Sequence, residues 1–102
     1  MARERQPDLS EIQRDTWEIA EKYNASRYGF ISTEVDLGIT FCEIAASTTD
    51  PEKTERNLAH AEQAQQAAKH FLKQGKLDRS MQRELQEKIN RLEKLLSGLR
   101  GR

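Results

Sequence analysis

Thr48-Thr49-Asp50-Pro51-Glu52 divides the chain and decides how its helices are arranged. Pro51 has no backbone N–H to give to a helix already running, but its fixed φ suits the first position of a new one. Asp50, just before it, can accept an N–H of that new helix as an N-cap. Thr49 and Glu52 offer a capping box one residue earlier. The stretch therefore reads as a helix ending near Ser47, a short link, and another helix starting at Pro51. Helices joined by so short a link pack side by side and antiparallel.

Upstream of the break lies the most apolar segment, residues 30–47. Val35, Leu37, Ile39, Phe41, Cys42, Ile44, Ala45 and Ala46 point nearly all round a helical axis. Only a narrow polar stripe of Ser32, Asp36, Thr40, Glu43 and Ser47 interrupts them. A helix apolar on most sides is covered on most sides. The segment is thus expected to be a central second helix, with a helix packed on either side.

Before it, Asn24-Ala25-Ser26-Arg27-Tyr28-Gly29 reads as a turn or bend. Asn, Ser and Gly compete with or weaken helical backbone. An unbroken helix from 8 to 47 would be about 60 Å long, awkward for a lone small domain. A bent continuous helix is the alternative. The first helix then covers about 8–26, opened by the Asp8-Leu9-Ser10-Glu11 capping pattern after Pro7. Leu9, Ile12, Thr16, Ile19, Ala20 and Tyr23 share its apolar face.

Downstream of the break a helix is expected over 51–74, stopped by Gly75. Its buried face is Leu58, Ala61, Ala64, Ala68, Phe71 and Leu72, and the small residues allow close approach. Phe41, Cys42 and Ala45 are expected to meet Ala61, Ala68 and Phe71 there. A last helix over about 78–98 carries Met81, Leu85, Lys88, Leu92, Leu95 and Leu99 at alternating spacings of four and three. That is a heptad seam with one lysine in it, flanked by Ile89 and Leu96. The fold class is all-α: a small antiparallel bundle of three to four helices in one domain, residues 8–99. Residues 1–7 and 100–102 are expected as flexible ends, with Gly98 and Gly101 loosening the last turn.

Composition agrees with a folded chain. Leu, Ile, Val and Phe supply 20 of 102 residues, a thin core, but 17 basic and 17 acidic side chains cancel. Disorder usually needs low hydrophobicity together with high net charge. The cancellation hides an asymmetry: residues 1–50 carry 5 basic and 10 acidic side chains, residues 51–102 carry 12 and 7. Either the halves complement each other across the fold or the basic half meets an acidic partner. Cys42 is the only cysteine, so no disulfide forms within the chain. No apolar leader opens the sequence and no run approaches membrane-spanning length. A cytoplasmic setting without membrane contact is the expectation.

The usual catalytic patterns do not occur. His60 and His70 lie about 80° apart around one helix, which does not suit a shared metal. There is no Glu-x-x-His pair, no His-Glu-x-x-His and no Cys-x-x-Cys. Cys42 sits among apolar residues near Asp36 and Glu43, a setting that disfavours a thiolate. Asp36, Thr40 and Glu43 could in principle serve acid–base chemistry, but read more simply as a solvent edge or as partners for the basic helices. The five glycines are scattered and make no phosphate loop. No enzyme, cofactor or metal is expected.

The expected role is therefore protein–protein interaction, as a small scaffold or adaptor, through a protein partner or a homodimer. The candidate contact is a leftover strip on the last helix: Leu92, Leu95, Leu96 and Leu99. The alternative is a nucleic-acid-associated accessory protein. Residues 69–102 carry ten basic and four acidic side chains, and Lys69, Lys73, Lys76, Arg79 and Arg83 would follow the phosphates. No aromatic follows Phe71 to stack on bases.

Leu37-Gly38-Ile39-Thr40-Phe41 resembles the Leu-Gly-x-x-Tyr element of tetratricopeptide helices, and Ala67-x-x-x-Phe71 their second-helix element. The distance between them is too long for one such repeat, so the likeness implies helix-hairpin packing only. Val35-Asp-Leu-Gly-Ile-Thr-Phe41, Asp50-Pro-Glu-Lys53 and Asn57-Leu-Ala-His-Ala61 together resemble small uncharacterised helical proteins of bacteria. That resemblance implies an all-α fold and no activity.

Overall fold

The computed structural model describes the backbone of residues 9–101 and the side chains of residues 16–101. Its elements are α1 (Leu9–Ser47), α2 (Pro51–Lys73) and α3 (Arg79–Arg100), with no strand among the described residues. The capping pattern at Asp8–Glu11 and the loose end at 1–7 lie outside what is described. Each helix packs on both others, and short links make α2 antiparallel to α1 and α3 antiparallel to α2.

The punctuation acts as its chemistry dictates. Asp50 is extended, and its Oδ1 accepts the Glu52 N–H at 3.0 Å, with Pro51 opening α2. At the far end Gly75 takes φ +69°, a backbone open to glycine at little cost, and its N–H reaches the Leu72 carbonyl. Asp78 Oδ1 then accepts the Met81 N–H at 2.8 Å and starts α3.

The turn expected at Asn24–Gly29 does not form. Helix runs through it, so α1 is one element of 39 residues, about 58 Å long. Three helices result where four were the upper expectation. Asn, Ser and Gly each cost roughly 0.5–1 kcal/mol relative to Ala inside a helix, whereas starting a second helix repeats the costly nucleation step. Tertiary contact favours continuity as well. Tyr28, Ile31 and Ser32 pack inward, and the Arg27 guanidinium lies 5.0 Å from the Phe71 ring centre. Gly29 keeps ordinary helical φ, and its carbonyl accepts the Thr33 hydroxyl at 2.9 Å.

The core joins one stripe from each helix. Ile31, Val35, Ile39, Cys42 and Ala45 come from α1, Leu58, Ala61, Ala64, Ala68 and Phe71 from α2, and Leu85, Ile89, Leu92 and Leu96 from α3. The three axes converge at Gly38. A Cβ placed there would stand 3.0 Å from Leu92 Cδ2 and 3.2 Å from Ala64 Cβ. Phe41 departs from the expected core: it lies one residue round from Cys42, half-buried at the rim, with its ring tilted on His60 at 5.3 Å.

Residues 30–47 are not surrounded. Because the segment before them continues α1, only α2 and α3 are their neighbours among the described residues. Phe30 and Leu37 consequently face outward, 65% and 44% exposed. The leftover strip on α3 is also absent as drawn from sequence. Leu92 and Leu96 are buried, while Leu95 and Leu99 pack half-buried against the core, because α1 and α2 both run the full length of α3.

Charges hold the α2–α3 hairpin more than they join the two halves of the chain. Arg100 grips Glu55 with two nitrogens, at 2.6 and 3.1 Å, and Glu62 at 2.7 Å. Lys69 meets Glu93 at 3.0 Å. Arg100, expected in a loose tail, is thus the last residue of α3 and its best-connected one. A single described ion pair joins residues 1–50 to residues 51–102. Lys88, the lysine in the heptad seam, donates to Asp36 at 3.0 Å and to the buried Ser32 hydroxyl at 2.8 Å. It sets the register of α3 on α1, and part of the polar stripe of α1 meets a basic helix.

Candidate functional site: an interaction face on α1

The exposed large apolar residues among those described all lie on α1: Trp17, Ile19, Tyr23, Phe30 and Leu37. Scattered singly they would mean little, but four of them share one face. Tyr23, Phe30 and Leu37 stand seven residues apart, and Ile19 is one turn before Tyr23. Ile44, half-buried, continues the face. At 3.6 residues per turn this face falls on the side of α1 opposite Val35, Ile39 and Cys42, the residues that meet the bundle. A second row of Ser26, Thr33 and Thr40 runs beside it, and all three are exposed.

The helix holds this face without using it. The Thr33 and Thr40 hydroxyls turn back to the carbonyls of Gly29 and Asp36. Arg27 lies along one edge, 5.7 Å from the Tyr23 ring centre. Lys22 and Glu43 are exposed at the other edge, Glu34 is half-buried on the same edge as Arg27 seven residues further on, and none of the four makes an ion pair among the described residues. The N-terminal part of α1 meets the hairpin only loosely. From Thr16 to Ser26 every residue is exposed but Asn24, which is half-buried, and Trp17, Ala20 and Asn24 border shallow grooves with Lys76 and Asp78 of the α2–α3 turn.

Sequence reasoning missed this face, although its signal was there. The seven-residue spacing of Tyr23, Phe30, Leu37 and Ile44 crosses the segment read as a turn, and dividing the helix there hid it. The strip read from sequence is divided differently. Leu92 and Leu96 are spent in the core, while Leu95 and Leu99 line a shallow groove with Cys42 and Ala46.

The basic residues of the alternative reading gather near the α2–α3 turn. Lys73, Lys76, Arg79 and Arg83 are exposed and without an ion pair among the described residues, whereas Lys69 is paired to Glu93. The fold supplies the aromatics that the local sequence lacks. Trp17 and Tyr23 share a groove with Gly75, Lys76, Leu77 and Asp78.

The remaining chemistry-bearing groups stay apart. No described group of three or more His, Cys, Asp or Glu side chains could hold a metal ion. Cys42 is buried, and burial, then the charges of Glu43 and Glu62, push its thiol above the usual range. His60 and His70 are exposed on α2. The Tyr28 hydroxyl is buried and closes no hydrogen bond of ordinary geometry. Burial, then the neighbouring Glu84 carboxylate, pushes its pKa up to about 12. Among the described residues no helix is long and apolar enough to cross a membrane. No protein-family model, curated protein or solved structure matches the chain.

Proposed function

We propose that this chain is a protein-interaction module, not an enzyme, and that it offers the outward face of α1 to its partner. One observation carries the reading: a helix apolar nearly all round has only two neighbours among the described residues, and its outward side bears Ile19, Tyr23, Phe30 and Leu37 on one face. A helix of this kind is ordinarily covered, and another helix laid along that face would cover it. The test is site-specific. A photo-cross-linking phenylalanine analogue is placed in the cell at position 30, at 37, or at exposed Gln66 on α2. Adducts to protein from 30 and 37, and none from 66, are the expected result. No adduct from either α1 position would sink the reading.

A second reading, binding of single-stranded nucleic acid, is favoured by the groove that sets Trp17 and Tyr23 beside Lys76, close to the unpaired Lys73, Arg79 and Arg83. Aromatic stacking and phosphate contacts are the two parts such binding needs. It would show as binding that falls steeply with salt and weakens on Trp17→Ala.

A further inference from the structure

Resting on the reading that the outward face of α1 is the contact element, we infer that its occupant is the same face of a second copy, antiparallel and centred between Ile31 and Ser32. The face has two rows. Tyr23, Phe30, Leu37 and Ile44 form one, and Ile19, Ser26, Thr33 and Thr40 the other, alternating by four and three residues. This is the spacing of a two-helix seam. In an antiparallel pair, the first row of one helix meets the second row of the other.

The centring fixes who meets whom. Ile44 meets Ile19 of the second copy, Leu37 meets Ser26, Phe30 meets Thr33, and Tyr23 meets Thr40. Large side chains face small ones along the middle, and aliphatic pairs close the ends. Because the pairing is two-fold, every contact occurs twice. Each hairpin lies on the far side of its own α1, so the seam stays open to the other copy. The exposed Thr16–Ser26 stretch of one copy lies along the C-terminal end of the other's α1, which adds to the loose contact it has with its own α2–α3 turn.

Charge selects this arrangement. Residues flanking such a seam decide orientation and partner. In this register Lys22 lies beside Glu43 of the second copy, and Arg27 beside Glu34. None of these four charges finds an ion pair among the described residues of its own chain. A parallel pair would set Lys22 beside Arg27. Sliding the antiparallel pair so that Leu37 meets Ile19 would set Arg27 beside its own copy. Only the first register brings opposite charges together on both edges.

Sedimentation equilibrium on five samples tests this: wild type, Phe30→Glu/Leu37→Glu, Lys22→Glu, Glu43→Lys, and an equal mixture of the last two. Wild type is expected to be a dimer at about 100 μM, and the double variant a monomer of unchanged helicity. Lys22→Glu and Glu43→Lys should each dimerise roughly five-fold more weakly, and their mixture should regain the wild-type constant. Lys22 and Glu43 are exposed and unpaired among the described residues, so the fold does not depend on either. A dimer that survives the double variant overturns the inference. A dimer tightened by Lys22→Glu overturns the register and signals a parallel pair. A monomeric wild type removes the second copy. If position 30 then still cross-links to another protein, the interaction reading stands and only its occupant changes.

Discussion

The two stretches of α1, residues 16–26 and residues 31–45, are one helix held by two kinds of force. In the second stretch Ile31, Val35, Ile39, Cys42 and Ala45 are buried against two neighbours. In the first, every side chain but that of Asn24 is exposed. Packing stabilises the second stretch, while the first persists by propagation from it and by helix formers such as Glu18, Ala20, Glu21 and Lys22. Unbroken helix is therefore no sign of uniform stability along its length. The outer face belongs to both stretches and is bare in both.

The sharpest break in that comparison is Phe71→Ala. Phe71 is 1% exposed and lies under Arg27, near the end of the buried stripe of α1. Its loss should cost about 3–5 kcal/mol in a denaturant melt. Phe30→Ala, on the same helix as Arg27 but outside, should stay within about 0.5 kcal/mol for the monomer. Equal costs would mean that the outer face is already packed.

The two glycines of α1 should respond with opposite sign. Gly38→Val pushes methyls into Leu92 and Ala64 and should destabilise by about 2 kcal/mol. At Gly29 an added Cβ would have no neighbour within 4 Å, and φ is ordinary for a helix, so Gly29→Ala should stabilise by about 0.5–1 kcal/mol. Circular-dichroism melts of both check this. A loss at Gly29 would show that α1 bends there in solution.

The smallest effect concerns Tyr28, between the two stretches. Its pKa in the fold is about 12 against an ordinary 10.0, so the neutral phenol is favoured by folding. That stabilisation is whole below pH 10 and is lost as pH rises toward 12. Tyr28→Phe should leave neutral stability unchanged or slightly raised, since the buried hydroxyl lacks a partner. It should also flatten the fall in melting temperature between pH 10 and 12. An unchanged alkaline slope would place the phenol in water.

The boundaries were legible because each is a local chemical event. Asp50-Pro51, Gly75 and Asp78 act within two or three residues of themselves; reading the sequence located the first two, and placed the start of the last helix only near Asp78 or Ser80. The small-residue face of α2 was legible for a similar reason: Ala61, Ala64 and Ala68 at helical spacing have little use except close approach. The Asn24–Gly29 segment was not legible, because three weak propensities were opposed by distant contacts to Phe71 and the hairpin. The outward face was hidden for a different reason. On a helix apolar nearly all round, composition does not say which side goes without a neighbour; only the number of neighbours does. Phe41 was misplaced into the core on the same ground, since about 100° of rotation separates it from Cys42. The electrostatic asymmetry was read correctly as a sum but not as pairs. Most described ion pairs clip α2 to α3, and Glu18, Glu21, Glu34 and Glu43 of α1 make none among the described residues.

That uneven clipping has a thermal consequence. The α2–α3 hairpin is fastened by Arg100 and Lys69, while α1 is joined by one described ion pair, through Lys88, and otherwise by apolar surface. Apolar association weakens on cooling because its driving force near room temperature is entropic. Chilling thus acts unequally on the molecule: it loosens the grip on the long helix while the charged clasp on the other two keeps its hold.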